Sequence, residues 1–455
     1  LRDAPLEAVS QSCFNYTCAT LLPPHSAHRF FEFANEAQKL NLSPKRSINK
    51  PYQLMSKSKS LTFLCLASYE KGQEFLREAK RQGCRVILLT SKSLEHADWP
   101  RDHIDDIFYI PDNNKEWNRQ DVIYGVSYLA RSIKIDKIVA LDDYDVEVAA
   151  ALREHLRIGG MGDTTARYFR DKLAMRTKAK EDGVPVPDFV HILNYNDIKD
   201  YLSRVPFPHL IKPRSAASAS GIIKVHNEEE FWRALDKLGD KQSFYLMERY
   251  VPGNVYHVDS IIQNRKVIFA IASEYGKPPM EVAHQGAVFT TRTMEYGSPD
   301  EQALLALNEQ VMKSMGHNIG VSHTEFIKGQ DGQFYFLETS ARVGGANIVE
   351  LVEAATGINL WAEWAKLEVQ GNKYALPPIQ KNYGGLMVSL AKQEWPDLSG
   401  YNDPEVYWKM HKPYHAGLIV KSSNRARVLE LLNAYTERFY KDFFHYIPPS
   451  EKPTY

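Results

Sequence analysis

Apolar and polar positions change rhythm along this chain, and the changes divide it. From Leu61 to Ala67 almost every residue is apolar, the run expected of a strand buried on both faces. Gly72 to Gln82 has the spacing of an amphipathic helix, and Cys84 to Leu89 leads into a second apolar strand. Ile107 to Ile110, a helix through Asp121 to Ile133, the strand Lys137 to Leu141 and a helix over Asp145 to Leu156 continue the alternation. Strands alternating with helices predict a doubly wound parallel sheet. After the extended breaker Val184-Pro185-Val186-Pro187 the pattern becomes β-rich. Strands are expected at Phe207 to Lys212, Ile222 to Val225, Ser243 to Val251, Val255 to Ile262 and Lys266 to Ala272, with helices at Glu228 to Leu238 and Pro299 to Met315. From about Pro377 the chain reads as two strands and one helix, Ala426 to Arg438. Residues 1–58 differ from all of this. Leu21-Leu22-Pro23-Pro24 and the basic, Ser-rich stretch up to Ser60 are linker-like, with one short helix around His28 to Leu40, so a non-catalytic extension is expected. Met55 would then be the start of the folded part.

Composition narrows the function classes. The 455 residues carry 56 Lys+Arg against 56 Asp+Glu, so no overall basic field points to nucleic acid. No apolar run approaches the roughly 18 residues that span a bilayer, so no membrane partner is expected. Cys13, Cys18, Cys65 and Cys84 lack both a disulfide pattern and histidines at zinc spacing, which points to a reducing, cytoplasmic setting. No G-x-G-x-x-G follows a strand and no P-loop motif occurs. Gly159-Gly160-Met161-Gly162 follows a helix and reads as a junction.

The candidate chemistry centres on a hairpin. His323 to Ile327 and Phe334 to Arg342 flank Asp331-Gly332, a strong turn signal. With that pair at the tip, Glu325 falls opposite Glu338, Ser340 and Arg342 share the Glu338 face, and His323 shares the Glu325 face. Like charges facing each other on a sheet repel, so a cation is expected between them; Mg²⁺, which takes carboxylate oxygens together with substrate phosphates, fits. Lys172 opens a helix and Lys212 ends a strand before the small-residue loop Arg214 to Gly221. Flexible ammonium groups and a loop without bulky side chains suit polyphosphate. Glu248, at the end of an apolar strand, could accept hydrogen bonds from an adenine amino group or a ribose hydroxyl.

The order D-K-x-x-M, G-V-P-V-P, I-K-P with its small-residue loop, M-E-R-Y-V-P-G, H-T-E-F and E-T-S-A-R-V-G-G-A resembles the ATP-grasp superfamily over about residues 61–400. In flavour it is nearest the amino-acid (dipeptide) ligases. The resemblance implies a mixed α/β and α+β fold. Residues 59–165 would form an α/β domain and 166–375 the ATP-grasp domain, with a β-rich lid lobe at about 184–247; residues 376–455 would form a C-terminal α+β segment. It also implies that Lys172 and Lys212 contact ATP phosphates. Ser215, Ser218, Ser220 and Gly221 would belong to a lid over them, Glu248, Arg249, Tyr250 and Val251 would form the adenine edge, and His257 would lie on the ribose side. Glu325, Glu338 and Ser340 would hold Mg²⁺, with Mn²⁺ as a substitute, and Arg342, with Lys212, would act in catalysis. Ser340 departs from the family's usual Asn, and the loop holds only Gly221 where relatives are richer in glycine. The implied activity is an ADP-forming carboxylate–amine ligase acting through an acyl phosphate on an amino acid or other small carboxylic acid. Oligomeric state is open from sequence, with a homodimer the commonest assembly. A biotin carboxylase-like enzyme or a silent ATP-binding protein is the alternative. Val343-Gly344-Gly345-Ala346 after Arg342 disfavours bicarbonate chemistry.

Overall fold

The computed structural model describes residues 60–113, 115–216 and 220–446. The expected extension, with Cys13, Cys18 and Met55, lies outside the described residues, as does Ser218. The first sheet is parallel, in the order β3-β2-β1-β4, from β1 (Thr62–Ala67), β2 (Arg85–Ser91), β3 (Asp106–Ile110) and β4 (Lys137–Ala140). Every residue of β1 is buried, which explains its unbroken apolar run. Helix Gln73–Arg81 connects β1 to β2, Arg119–Leu129 connects β3 to β4, and Val146–Leu156 follows β4.

A four-stranded antiparallel sheet, β5-β8-β6-β7, comes next in the chain. It comprises β5 (Phe189–His191), β6 (His209–Pro213), β7 (Ile223–Val225) and β8 (Tyr245–Arg249). Helices Tyr195–Arg204 and Glu228–Leu238 supply Ile198, Tyr201, Phe231 and Leu235 to its own core.

The large sheet has nine strands. Its path is β13-β12-β9-β10-β11-β14-β16-β15, made from β9 (Gly253–Gln263), β10 (Lys266–Tyr275), β11 (Phe289–Thr293), β12 (Gly320–Gly329), β13 (Phe334–Ser340), β14 (Tyr383–Ala391), β15 (Val406–Lys409) and β16 (His415–Ser422). A short β17 (Phe444–His445) pairs with β14 off this path. The sheet therefore runs on past residue 376, because β14 pairs with β11. The C-terminal stretch holds more strands than the two read from its sequence, together with helix Arg425–Asp442. The large core joins the parallel sheet to the rest: Phe75 meets Trp364 edge to face at 5.1 Å, between helices Gln73–Arg81 and Leu360–Gln370. That packing sets where the end of β4 stands against the hairpin β12–β13.

Candidate functional site

The hairpin turns over three residues rather than two. Gly329 donates to the Gln333 carbonyl at 2.9 Å, and Gly332 takes a positive φ of 79°. Pairing is therefore one step off the sequence expectation near the tip, with Phe326 opposite Phe336. An irregularity between Glu325 and Phe326 restores the register, so Glu325 does stand opposite Glu338, as expected. Pairing with β9 extends the pattern: Glu338, Glu325 and His257 form one row across three strands, and Ser340, His323 and Asp259 form the next. Rows two residues apart face the same way, so one face carries six polar side chains.

That face borders a cavity of about 300 Å³, lined by Lys172, Lys212, Glu248, Glu325, Glu338 and Arg342 among others. Helix Lys172–Glu181, capped by Asp171, supplies Lys172. Its ammonium lies 2.6 Å from Glu338 Oε2 and 2.6 Å from the Ala216 carbonyl. Lys212, at the end of β6, pairs with Glu248 on β8. Arg176, one turn along from Lys172, is 0% exposed. It reaches Glu248 Oε2 at 3.0 Å and also donates to the Leu337 carbonyl. Burial alone would raise the Glu248 carboxyl, but Arg176 and Lys212 hold it below the usual range. Both Glu248 oxygens thus already meet protein cations while Glu248 lines the cavity.

Glu325 accepts from the Tyr275 hydroxyl at 2.8 Å and lies 3.8 Å from His323 Nε2. Burial would raise its carboxyl, yet His323 and Tyr275 keep it low. Burial also works against a charged His323, but Asp259 and Glu325 outweigh it and push His323 up to about 9. His257 shares the face but not the cavity. Its Nδ1 bonds Asp259 at 2.7 Å and its Nε2 bonds Thr291 at 2.8 Å, so both ring nitrogens are satisfied inside the sheet. The ribose-side expectation for His257 would require one of these bonds to be exchanged.

Arg342 lies just past β13, and Ser340 ends that strand. Arg342 stands 3.5 Å from Asp143, and Ser340 donates to Asp143 at 3.2 Å. Asp143, just beyond β4, also meets Arg170 at 3.5 Å and lines the cavity. Burial opposes the Asp143 charge, but Arg342 and Arg170 keep its carboxyl low. Of the loop residues, Ser220 lines this cavity, whereas Ser215 faces a different one and Gly221 lines neither. Arg249, Tyr250 and Val251 follow Glu248 along the rim.

Sequence reading missed Arg176, Tyr275, Asp259 and Asp143. Arg176 had a signal, since it is four residues from Lys172 and shares its helix face. Asp143 had one too, in an acidic run at the carboxyl end of a parallel strand, where α/β sheets collect function. Tyr275 and Asp259 needed the strand pairing.

Known proteins supply the class. Residues 205–350 match the family model described as an ATP-grasp domain. An L-amino acid ligase from Bacillus licheniformis superposes with a TM-score of 0.67 at 16% identity, covering 87% of this chain and 100% of that one. A biotin carboxylase from Campylobacter jejuni gives 0.63 at 16% identity over 84% and 91%. Residues 205–350 thus carry an ATP-grasp domain, and the fold around them is that of the ATP-grasp enzymes it superposes on. In sequence, an L-arginine-specific L-amino acid ligase of Bacillus subtilis is 24% identical over 292 residues, 60% of this chain and 70% of that protein. A D-alanine–D-alanine ligase of Thermotoga sp. (strain RQ2) is 27% identical over 197 residues, 37% of this chain. The match spans 60% of that ligase's length.

Proposed function

We propose that this protein is an ADP-forming carboxylate–amine ligase that joins a small carboxylic acid, in the first place an amino acid, to an amine. The observation that carries this reading is the convergence of Lys172, Lys212, Glu325, Glu338 and Arg342 on one cavity. ATP would lie between β6–β8 and the hairpin, its base against Arg249, Tyr250 and Val251 and its phosphates near Lys172 and Lys212.

Glu325 and Glu338, with the Ser340 hydroxyl, form a hard oxygen donor set that fits Mg²⁺ or Mn²⁺. Bound there, such an ion would neutralise phosphate charge. Lys172 already balances Glu338, so the ammonium is placed to pass from carboxylate to phosphate as the triphosphate enters. Arg342 faces the same space and would anchor the substrate carboxylate. A carboxylate oxygen attacks the γ-phosphorus and ADP leaves, giving an acyl phosphate. The amine then attacks the acyl carbon, the C–O bond breaks, phosphate departs with that oxygen, and the amine proton is released. Such transfers depend on positioning and charge neutralisation more than on covalent help.

A cytoplasmic setting is part of the proposal, supported by ATP use and by the buried free thiols Cys65 and Cys84. No helix among the described residues is long and apolar enough to cross a membrane. A homodimer remains the expected assembly, to be read by light scattering. The function is tested by phosphate release across a matrix of amino acids and small acids, with product masses. Release should need both a carboxylic acid and an amine, and the product should weigh their sum less one water. Turnover that instead requires bicarbonate would overturn it.

A further inference from the structure

A second cavity, of about 340 Å³, opens at the carboxyl edge of the parallel sheet and shares no lining residue with the first. Ser68 follows β1 and Asp145 follows β4, and these adjacent strands mark where the order β3-β2-β1-β4 reverses direction. Crevices at such switch points gather small ligands in α/β proteins. Tyr69 and Tyr144 stack there with centroids 5.2 Å apart, and the Lys115 ammonium lies 4.4 Å from the Tyr69 ring.

The charges lining this cavity are unequally matched. Arg119 is held by Asp163 and Arg170 by Asp143. Lys115, Glu116, Asp145 and Glu147 have no ion-pair partner among the described residues, which leaves the acids in excess and room for a cationic group. Asp145 Oδ2 accepts the Ser68 N–H, at 2.9 Å. Unmatched charges of both signs beside an aromatic wall are the complement of a zwitterion with a side chain. We infer that this cavity binds a free α-amino acid, its carboxylate on Lys115, its ammonium between Asp145 and Glu147, and its side chain against the tyrosine pair. Burial, and then Asp142, push Asp145 up to about 7, so an arriving ammonium would relieve a charge the fold holds at a cost. Ser215 and Phe244 line one side. Arg170 donates to the Ser215 carbonyl at 2.6 Å while it pairs with Asp143, so the occupant would touch a wall shared with the ATP cavity.

The site stands whether or not the first cavity ligates, so binding is measured without nucleotide. Calorimetry on the full chain would use L-alanine, L-phenylalanine, L-arginine and L-glutamate. The expected result is one-to-one binding of at least one of them, weakened at least tenfold by Lys115→Ala and by Asp145→Asn. Binding of a non-hydrolysable ATP analogue should be unchanged in both variants. No binding of any probe to the wild type, or equal binding in both variants, would overturn the inference. Should Asp145→Asn fail to fold, Lys115→Ala alone decides. Turnover then separates the sources. A bound amino acid that enters the product, with its KM raised by Lys115→Ala, is the acceptor substrate; one that changes the rate without being incorporated is an effector.

Discussion

At the scale of single residues, the site is a set of charges already matched to one another. Arg176, Glu248 and Lys212 form a buried triad. Breaking such a pair leaves a charge stranded, at a cost of about 3–5 kcal/mol. Glu248→Ala should therefore lower stability by that amount in urea unfolding, and a change under 1 kcal/mol would contradict the triad. Arg342 and Glu338 are the residues that the proposed reaction would use instead, and Arg342→Ala and Glu338→Ala test them. Each should slow ADP formation by about 10²–10³-fold with the fold intact by circular dichroism, as expected when one aligned transition-state group is lost. Near-normal turnover in either would remove it from the mechanism. The pairing of Glu325 with Glu338 was legible from the register counted back from Asp331-Gly332, and the like charges it brings together pointed to a cation. Arg176 was not singled out, because an arginine in a lysine-rich helix reads as solvated until Glu248 is brought beside it.

At the scale of elements, the hairpin shows how a correct pairing can follow from an inexact turn. Asp331-Gly332 signalled the turn, but the loop takes three residues, and the slip is undone by the irregularity between Glu325 and Phe326. Two glycines separate conformational strain from close contact. Gly332 has a φ of 79° and nothing within 4 Å of a built Cβ, so Gly332→Ala should cost about 1 kcal/mol through strain alone. A Cβ on Gly253 would lie 1.9 Å from the Lys328 carbonyl across β9 and β12, so Gly253→Ala should cost about 3 kcal/mol. Thermal unfolding of the two variants checks that ranking; equal costs would contradict the β9–β12 register. Helices Glu228–Leu238 and Pro299–Met315 match their sequence bounds because each has a turn residue and a polar face at the expected places. Ile348–Thr356 was not read as a helix because it is buried almost all round and shows no apolar stripe. Leu360–Gln370 was missed as well, with aromatic and charged residues mixed along its face.

At the scale of the whole molecule, Asp143 links the parallel sheet to the hairpin β12–β13 through Arg342 and Ser340. Its neighbour Asp145 makes stability depend on pH. An unfolded aspartate releases its proton near about 3.9, whereas folded Asp145 holds it to about 7, so the folded state binds more protons in between. Its contribution to stability must therefore fall as pH rises from about 4 to about 7 and level off above. Asp142 strengthens this, while Lys71 and the Ser68 N–H oppose it. Asp145→Asn should remove that slope, so the variant's stability relative to wild type should rise across this range; an unchanged difference would contradict the assignment. The order of motifs made the architecture legible, since a nucleotide-binding arrangement needs its parts in sequence. The joining of β14 to β11 was not legible, because strand order within a sheet leaves no mark in local patterning.

The central claim is that ATP activates a carboxylate as its acyl phosphate within the cavity shared by Glu325, Glu338 and Arg342. It is tested most directly by turnover with an amino acid carrying ¹⁸O in its carboxylate, followed by mass analysis of the phosphate released. One labelled oxygen in each phosphate, with ADP as co-product, is the result this account predicts. Unlabelled phosphate would contradict it.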